Sequence, residues 1–190
     1  MDFEKLVILR KQRIKISDLV FAGHKNGEPV NSWWCRMPYP GHPDGCPNWG
    51  NNNLCPPKMK RKDDRIRKYN YIYLVTAEFN FARYIKLRRV EHPDWTRNQV
   101  NCCLYYQSAV KKILADFIRN LADSNCFILG SGSGFKLFGK GLPSPEAIGI
   151  DVFTTMKRLG RPLERNPERK ILFVSVVCSN KALKAQSRLF

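Results

Sequence analysis

Three of the chain's seven cysteines lie in one segment, "WWCRMPYPGHPDGCPNWGNNNLCPP", which is rich in proline and nearly free of aliphatic residues. Ten residues separate Cys35 from Cys46 and eight separate Cys46 from Cys55, so the spacing is not that of a C-x-x-C zinc ribbon. Proline follows Cys46 and Cys55 directly, as in some iron–sulfur loops. Thiolates are soft ligands for zinc or iron–sulfur clusters, and a metal centre orders a loop that has little else to pack. We therefore predict that residues 24–57 form a metal-binding loop held by these three cysteines.

The sequence does not decide which residue would be the fourth ligand of such a centre. The candidates are His42, Cys102, Cys103, Cys126 and Cys178. Cys102 is the strongest of them because it points away from the apolar face of a predicted helix, whereas Cys103 falls on that face. Cys126 and Cys178 stand at strand ends, where small buried thiols are common. Four protein ligands favour a structural or electron-transfer role, whereas three leave an open Lewis-acidic iron and favour an enzyme.

The balance of charge favours an anionic partner. Lys and Arg number 33 against 16 Asp and Glu, which gives a formal net charge of +17 and an isoelectric point near 9.8. Such an excess attracts polyanions, and aromatic residues interleaved with basic runs suit phosphate contacts and base stacking. We predict binding to nucleic acid, with RNA favoured over DNA, or to a nucleoprotein complex through a surface shared by three basic runs. The candidate contact residues are Lys58, Lys60, Arg61, Lys62, Arg65, Arg67, Lys68, Arg83, Lys86, Arg88, Arg89, Lys136, Lys140, Arg158 and Arg161.

The apolar pattern predicts strands that alternate with helices. Residues 69–81 and 170–179 are rich in β-branched and aromatic residues, which predicts two strands, the first of them central. A further strand is expected from Cys126 into a glycine-rich loop, and a short one over residues 18–23. The whole chain, 1–190, is expected to form one α/β or α+β domain with a sheet of three to five strands. Residues 180–190 are expected to form a basic tail.

Two helices are predicted in the second half of the chain. Residues 96–122 carry apolar side chains at helical spacing after a capping box of Thr96 and Gln99, which predicts one long amphipathic helix. The sequence Ser-Pro-Glu at 144–146 predicts the start of another helix that ends near Gly160. Glu146 and Asp151 do not share a helix face, so no catalytic role is assigned to that pair.

Two of these segments resemble a known family. "CPNWGNNNLCPP" (46–57) resembles the CPNYGKN-x-x-CPP signature of predicted metal-binding proteins of unknown function from archaea and anaerobic bacteria. "GLPSPEAIGIDVFTTMKRLG" (141–160) is similar to the family's PSMEAVGIDV block, and the order of elements agrees over residues 15–178. The resemblance implies a cysteine-bound cluster of the 4Fe–4S type. Cys46 and Cys55 match the signature, and Cys35 stands where an upstream cysteine is expected.

The chain departs from this family between the two motifs. Family members usually carry a second cysteine set there, but "GSGSGFKLFGKGL" (130–142) has no cysteine, so we predict a single centre. This glycine-rich loop, with Lys136 and Lys140, is either a phosphate-contacting loop or a simple connection.

These features lead to one principal hypothesis and several alternatives. The principal hypothesis is a protein with one 4Fe–4S cluster that acts on or within a nucleic-acid or ribonucleoprotein complex. The alternatives are a cluster-dependent RNA-modifying or sulfur-transfer enzyme with an open iron, and a zinc-stabilised nucleic-acid-binding module. The positive charge and the missing second cysteine set disfavour an electron carrier. Because the first residues do not form a signal peptide and no apolar run nears the roughly 20 residues that span a bilayer, we predict a cytoplasmic protein with no membrane partner and reduced thiols.

Overall fold

The structure is a computed structural model that describes residues 1–25, 28–29, 35–38, 42–60 and 62–184. In chain order its strands and helices are β1 (Val7–Ile14), β2 (His24–Lys25), β3 (Glu28–Pro29), α1 (Asp63–Ile66), β4 (Tyr71–Phe79), α2 (Phe81–Glu91), α3 (Arg97–Asn101), α4 (Gln107–Leu121), β5 (Phe127–Leu129), β6 (Lys136–Leu137), β7 (Lys140–Gly141), α5 (Val152–Arg158) and β8 (Ile171–Ser179). Short 3-10 turns occupy Glu4–Leu6, Ile16–Asp18, Cys103–Tyr105 and Glu146–Ile148. Within the described part of the chain, no helix combines the length and hydropathy needed to cross a membrane.

Four antiparallel strands form the central sheet in the order β1–β4–β8–β5. Tyr71 pairs with Ser179 at one end of the sheet, which we call the Tyr71 end. Phe79 pairs with Val7 and with Ile171 at the other, which we call the Phe79 end. The prediction of a mixed α and β fold with a sheet of three to five strands is confirmed.

Strand β4 lies at the centre of the sheet and is buried on both faces. Alternate residues of a strand point to opposite faces. Val75 and Phe79 therefore pack with α2 and α4 in one core layer, while Ile72 and Leu74 pack with α1 and α5 in the other. A strand buried on both sides needs a continuous apolar run, which explains why the segment could be predicted as central.

The predicted helix over residues 96–122 is two helices, and the prediction of one continuous helix is wrong. The Thr96–Gln99 capping box is present and starts α3. The chain then leaves helical geometry at Cys102, whose backbone is extended (φ −61°, ψ 119°). This break turns Tyr106 into an aromatic cluster, where its ring centroid lies 5.1 Å from that of Phe79 and 5.4 Å from that of Phe81. Burial of that ring in the core overrides the local helical pattern.

The break also changes the surroundings of the residues near it. Cys103 was expected on the buried apolar face, but it is exposed, and Leu104 retains 79% of its accessible surface. Cys102 is half-buried.

The predicted helix over residues 144–160 is also divided. The 3-10 turn Glu146–Ile148 ends at Gly149, whose φ of +95° suits glycine, and α5 begins only after Asp151. The Asp151 side chain caps α5 by accepting a hydrogen bond from the backbone N–H of Thr154 at 3.0 Å. The strand predicted over residues 18–23 reduces to a single bridge between Phe21 and Ile150. Ile150, which lies between the 3-10 turn and α5, is buried.

Candidate functional site

The backbone brings Cys35 and Cys46 together. The N–H of Cys46 donates a hydrogen bond to the carbonyl oxygen of Cys35 at 2.7 Å. Gly45 makes this approach possible because its φ is +88° and a Cβ atom there would lie 2.5 Å from the Cys35 oxygen. Cys55 follows on the same loop, where its own N–H donates to the Asn52 carbonyl oxygen at 3.0 Å. The three thiols predicted as ligands are therefore held in one local structure, and all three are half-buried.

The three thiols interact electrostatically with one another and with Glu146. Burial raises the pKa of the Cys35 thiol to about 11, and the negative charges of Cys46, Cys55 and Glu146 contribute in the same direction. Burial also raises the pKa of Cys55, followed by the charge of Cys46. The "PSPEAIGIDV" block thus lies beside the cysteine loop, although no catalytic role was predicted for Glu146.

Packing between the two loops agrees with this placement. Leu54, next to Cys55, lies against Gly141 of β7, where an added Cβ would come within 2.9 Å of the leucine Cδ1. The chain then runs from β7 to Glu146, with Ser144 accepting a hydrogen bond from the Ala147 N–H at 3.2 Å. Glu146 is exposed as a residue, yet burial of its carboxyl among protein atoms raises the pKa of that group.

Lys111 supplies a positive charge that acts on Glu146. Its ammonium group donates a hydrogen bond to the Ser133 carbonyl oxygen at 2.8 Å, which ties α4 to the glycine-rich loop after β5. Burial lowers the pKa of Lys111, and the charges of Cys103 and Glu146 oppose that shift. Because α4 and the Glu146 loop belong to the layers on opposite faces of the sheet, the site lies where these layers meet beyond the edge strand β5.

The structure distributes the candidate fourth ligands over several places. Cys178 is buried in β8 near Cys126, and burial followed by the charge of Cys126 raises its pKa to about 12. Cys102 lies beside Tyr84 and Tyr106, since its charge contributes to the raised pKa values of both phenols after burial. His42 is exposed. Glu146, absent from the sequence-based candidates, is the additional acidic group that acts on Cys35.

The types of side chain at this site suit a metal centre, but the distances between them are too long for one ion to bind them all. Three thiols and a carboxylate are ligands suited to zinc or iron. Among the described residues, however, no group of three or more His, Cys, Asp or Glu side chains is close enough to hold a metal ion. Binding of a metal would therefore require the thiols to move toward one another.

Four of the predicted basic contacts, Lys62, Arg65, Arg67 and Lys68, gather at the Tyr71 end of the sheet with Arg13 and Lys15, which were not predicted. Two neighbouring cavities there, of about 630 and 590 Å³, share Tyr69 in their linings. We call this surface the basic end face. Its cationic residues are Arg13, Lys15, Lys62, Arg65, Arg67 and Lys68. Asp18 and Asp64 also line the cavities, so the net charge of the face remains positive.

Aromatic rings support several guanidinium groups of the basic end face. The Arg65 guanidinium carbon lies 4.2 Å from the centroid of the Phe127 ring, and that of Arg13 lies 4.5 Å from the centroid of Tyr71. The Tyr69 ring stacks on Phe127 with a centroid distance of 6.2 Å. These contacts orient charged groups without neutralising them.

The second basic run lies at the opposite end of the sheet, so the three runs do not form one shared surface. Arg83, Lys86, Arg88 and Arg89 belong to α2, which follows the Phe79 end. Arg88 is engaged within the protein, where it donates to a Glu91 carboxylate oxygen at 3.0 Å.

The remaining candidates lie apart from both groups or are engaged within the protein. Lys60 is exposed, and Lys58 donates to the Asn51 carbonyl oxygen at 3.3 Å. Lys136 and Lys140 are exposed on the β6–β7 hairpin. Arg161 donates to the Thr76 hydroxyl at 3.2 Å inside the fold.

Arg158 and Arg61 complete the account of the basic residues. Arg158 donates to the Ser17 carbonyl oxygen at 2.8 Å, next to the basic end face. Arg61 lies outside the described residues, as do parts of the predicted 24–57 loop and most of the predicted tail.

Comparisons of the chain with protein-family models, with curated proteins and with solved structures gave no match. The resemblance to the family of predicted metal-binding proteins thus stays a prediction.

Proposed function

We propose that this protein holds a metal centre on Cys35, Cys46 and Cys55, in the first instance an iron–sulfur cluster, and that it binds nucleic acid through its basic end face. The observation that supports the metal centre most directly is the assembly of the three thiols with Glu146 around a backbone contact between Cys35 and Cys46. The basic end face supports the second part of the proposal.

The electrostatics of the thiol site favour a bound cation. Burial, followed by the charges of Cys46, Cys55 and Glu146, raises the pKa of the Cys35 thiol to about 11, so this thiol resists losing its proton. A bound metal ion reverses this effect because it stabilises thiolates and releases their protons. The site thus gathers groups that become anionic ligands when a metal displaces their protons, in a chain whose formal net charge is +17.

The residues of the chain define what such a centre could do. Cys35, Cys46 and Cys55 would hold the metal, and Glu146 would either complete the ligand set or accept a proton beside it. Lys111 is oriented by its bond to Ser133 and balances the Glu146 charge. An iron–sulfur cluster, when bound, supplies electron transfer or, at an iron without a protein thiolate, Lewis-acid chemistry.

The charge and shape of the Tyr71 end support the proposal of nucleic-acid binding. Six cationic side chains with an aromatic residue between two cavities suit a phosphate backbone with a base stacked against a ring. We favour single-stranded RNA because the basic end face combines cationic side chains with the Tyr69 ring, against which an unpaired base can stack. Double-stranded DNA is then a weaker ligand.

The metal centre is tested by anaerobic reconstitution with iron and sulfide. Wild-type protein is expected to gain the visible absorption of an iron–sulfur cluster, and Cys46→Ser to lose most of it. Cys126→Ser is the matched control, since this half-buried thiol lies beside Cys178 and away from the site. Full absorption in Cys46→Ser would contradict the assignment, and a colourless wild-type protein that binds zinc would replace the cluster by the zinc-stabilised alternative.

Nucleic-acid binding is tested by fluorescence anisotropy with single-stranded RNA over a series of salt concentrations. A Lys62→Ala/Lys68→Ala variant removes two phosphate contacts, so the slope of log K against log salt should fall by roughly 1.4. A Lys5→Ala/Lys112→Ala variant removes two charges outside the face and should leave the slope unchanged. Equal slopes for the two double variants would refute the assignment of this face.

A further inference from the structure

A separate groove lies at the Phe79 end, away from the basic end face. It is formed by α2, α3 and the loop before β8, and it encloses about 610 Å³. A volume of this size is typical of sites for small molecules. The groove is absent from the sequence-based predictions, whose candidate contact residues include Arg89 but not Arg97 or Arg165.

The lining of the groove combines an apolar floor with a cationic rim. Phe81 and Tyr106 are buried and present aromatic surface. Arg89, Arg97 and Arg165 line the groove with Glu168 as the acidic member, so three positive charges face one negative charge.

Two of these arginines are available to a ligand. Arg89 and Arg97 are exposed, and within the described ranges neither guanidinium group makes a hydrogen bond or ion pair. They come from different helices, α2 and α3, yet line the same cavity. Guanidinium groups that converge from two elements suit a phosphate, which they bind through paired hydrogen bonds.

We infer that this groove binds the phosphate group of a nucleotide, with the nucleoside against the aromatic floor. The phosphate belongs either to a free nucleotide or to the end of a nucleic-acid strand. The inference does not depend on the metal centre or on the basic end face, because it rests on other residues at the opposite end of the sheet.

The experiment is calorimetric titration of the full chain with adenosine 5′-monophosphate and, separately, with adenosine. Wild-type protein should bind the monophosphate and bind adenosine at least tenfold more weakly. Arg89→Ala and Arg97→Ala should each weaken monophosphate binding by about 10- to 100-fold, the effect of losing a charged hydrogen bond. Arg83→Ala is the matched control, since Arg83 is an exposed residue of α2 outside the groove, and it should bind as wild type does.

Competition then separates the two sources of phosphate. Two oligonucleotides of one sequence are compared, one with a 5′-phosphate and one with a 5′-hydroxyl. If only the phosphorylated strand displaces the monophosphate, the groove binds a strand end. Failure of both strands to displace it identifies a free nucleotide. The inference is overturned if wild-type protein binds no monophosphate at millimolar concentration, if adenosine binds equally well, or if Arg83→Ala weakens binding as much as Arg97→Ala. Unchanged thermal unfolding of the three variants shows that a loss of binding is local.

Discussion

Substitution of Gly45 by alanine should disrupt the thiol site through the backbone alone. Gly45 has a φ of +88°, and the added Cβ would lie 2.5 Å from the Cys35 oxygen and 2.9 Å from two backbone atoms of Arg36. Backbone atoms cannot rotate away as a side chain can. The Cys35 and Cys46 segments must therefore separate, which weakens the 2.7 Å hydrogen bond between them.

The magnitude of this effect can be isolated with a second glycine. Alanine at a left-handed position is unfavourable by roughly 1–2 kcal/mol wherever it occurs. Gly50 shares that geometry, with a φ of +69°, but has nothing within 4 Å of its added Cβ. Gly50→Ala thus carries the conformational effect alone. Gly45→Ala adds the clash and the loss of a hydrogen bond, about 1 kcal/mol.

The assay is titration with cobalt(II), whose absorption on binding thiolates reports the metal site. Gly45→Ala should bind cobalt at least tenfold more weakly than Gly50→Ala, since about 1.4 kcal/mol corresponds to a factor of ten. Thermal unfolding of both variants shows whether the fold is intact. Equal cobalt affinity in the two variants would refute the claim that the approach of Cys35 to Cys46 builds the site.

Two further predictions concern the core. Ser175→Ala should raise the free energy of unfolding by about 1 kcal/mol in urea titrations, because the buried hydroxyl has no hydrogen-bond partner in the described structure. Ser179→Ala should instead lower the free energy of unfolding, since the Ser179 hydroxyl accepts a hydrogen bond from the Lys181 N–H at 3.1 Å. Stabilisation by both changes would contradict this reasoning. Burial raises the pKa of Tyr106 to about 12. As the pH rises, this phenol therefore ionises in the unfolded chain before it ionises in the folded one. The wild type loses stability between about pH 10 and pH 12 for that reason. Tyr106→Phe should remove a loss of about 1.4 kcal/mol per pH unit in that window, and identical pH profiles in reducing buffer would show that the phenol does not contribute.

The strands were predictable because their patterns are local. Residues 71–79 and 171–179 are nearly continuous apolar runs, and a central strand buried on both faces needs such a run. Strand β1 could not be assigned, since polar residues follow its apolar start and one apolar residue, Ile8, is exposed, so the sequence shows no clear alternation. The break at Cys102 was also hidden, because it depends on the packing of Tyr106 against Phe79 in a distant strand.

The candidate site was predictable in part for the same reason. The thiols of Cys35, Cys46 and Cys55 share one loop, so their spacing and their prolines indicate a common centre. Glu146 and Lys111 reach that centre only because two layers of the fold meet beyond β5. No local pattern connects them with the cysteines. The similarity of "PSPEAIGIDV" to a family block was the one signal that could have directed attention to Glu146.

Anaerobic analysis of iron, zinc and sulfide in the purified protein, beside a Cys55→Ser variant, tests the central claim most directly. Wild-type protein is predicted to contain iron and sulfide in equal amounts, and the variant to lose most of both while keeping its fold. Wild-type protein without metal, or a Cys55→Ser variant with an unchanged metal content, would contradict the account.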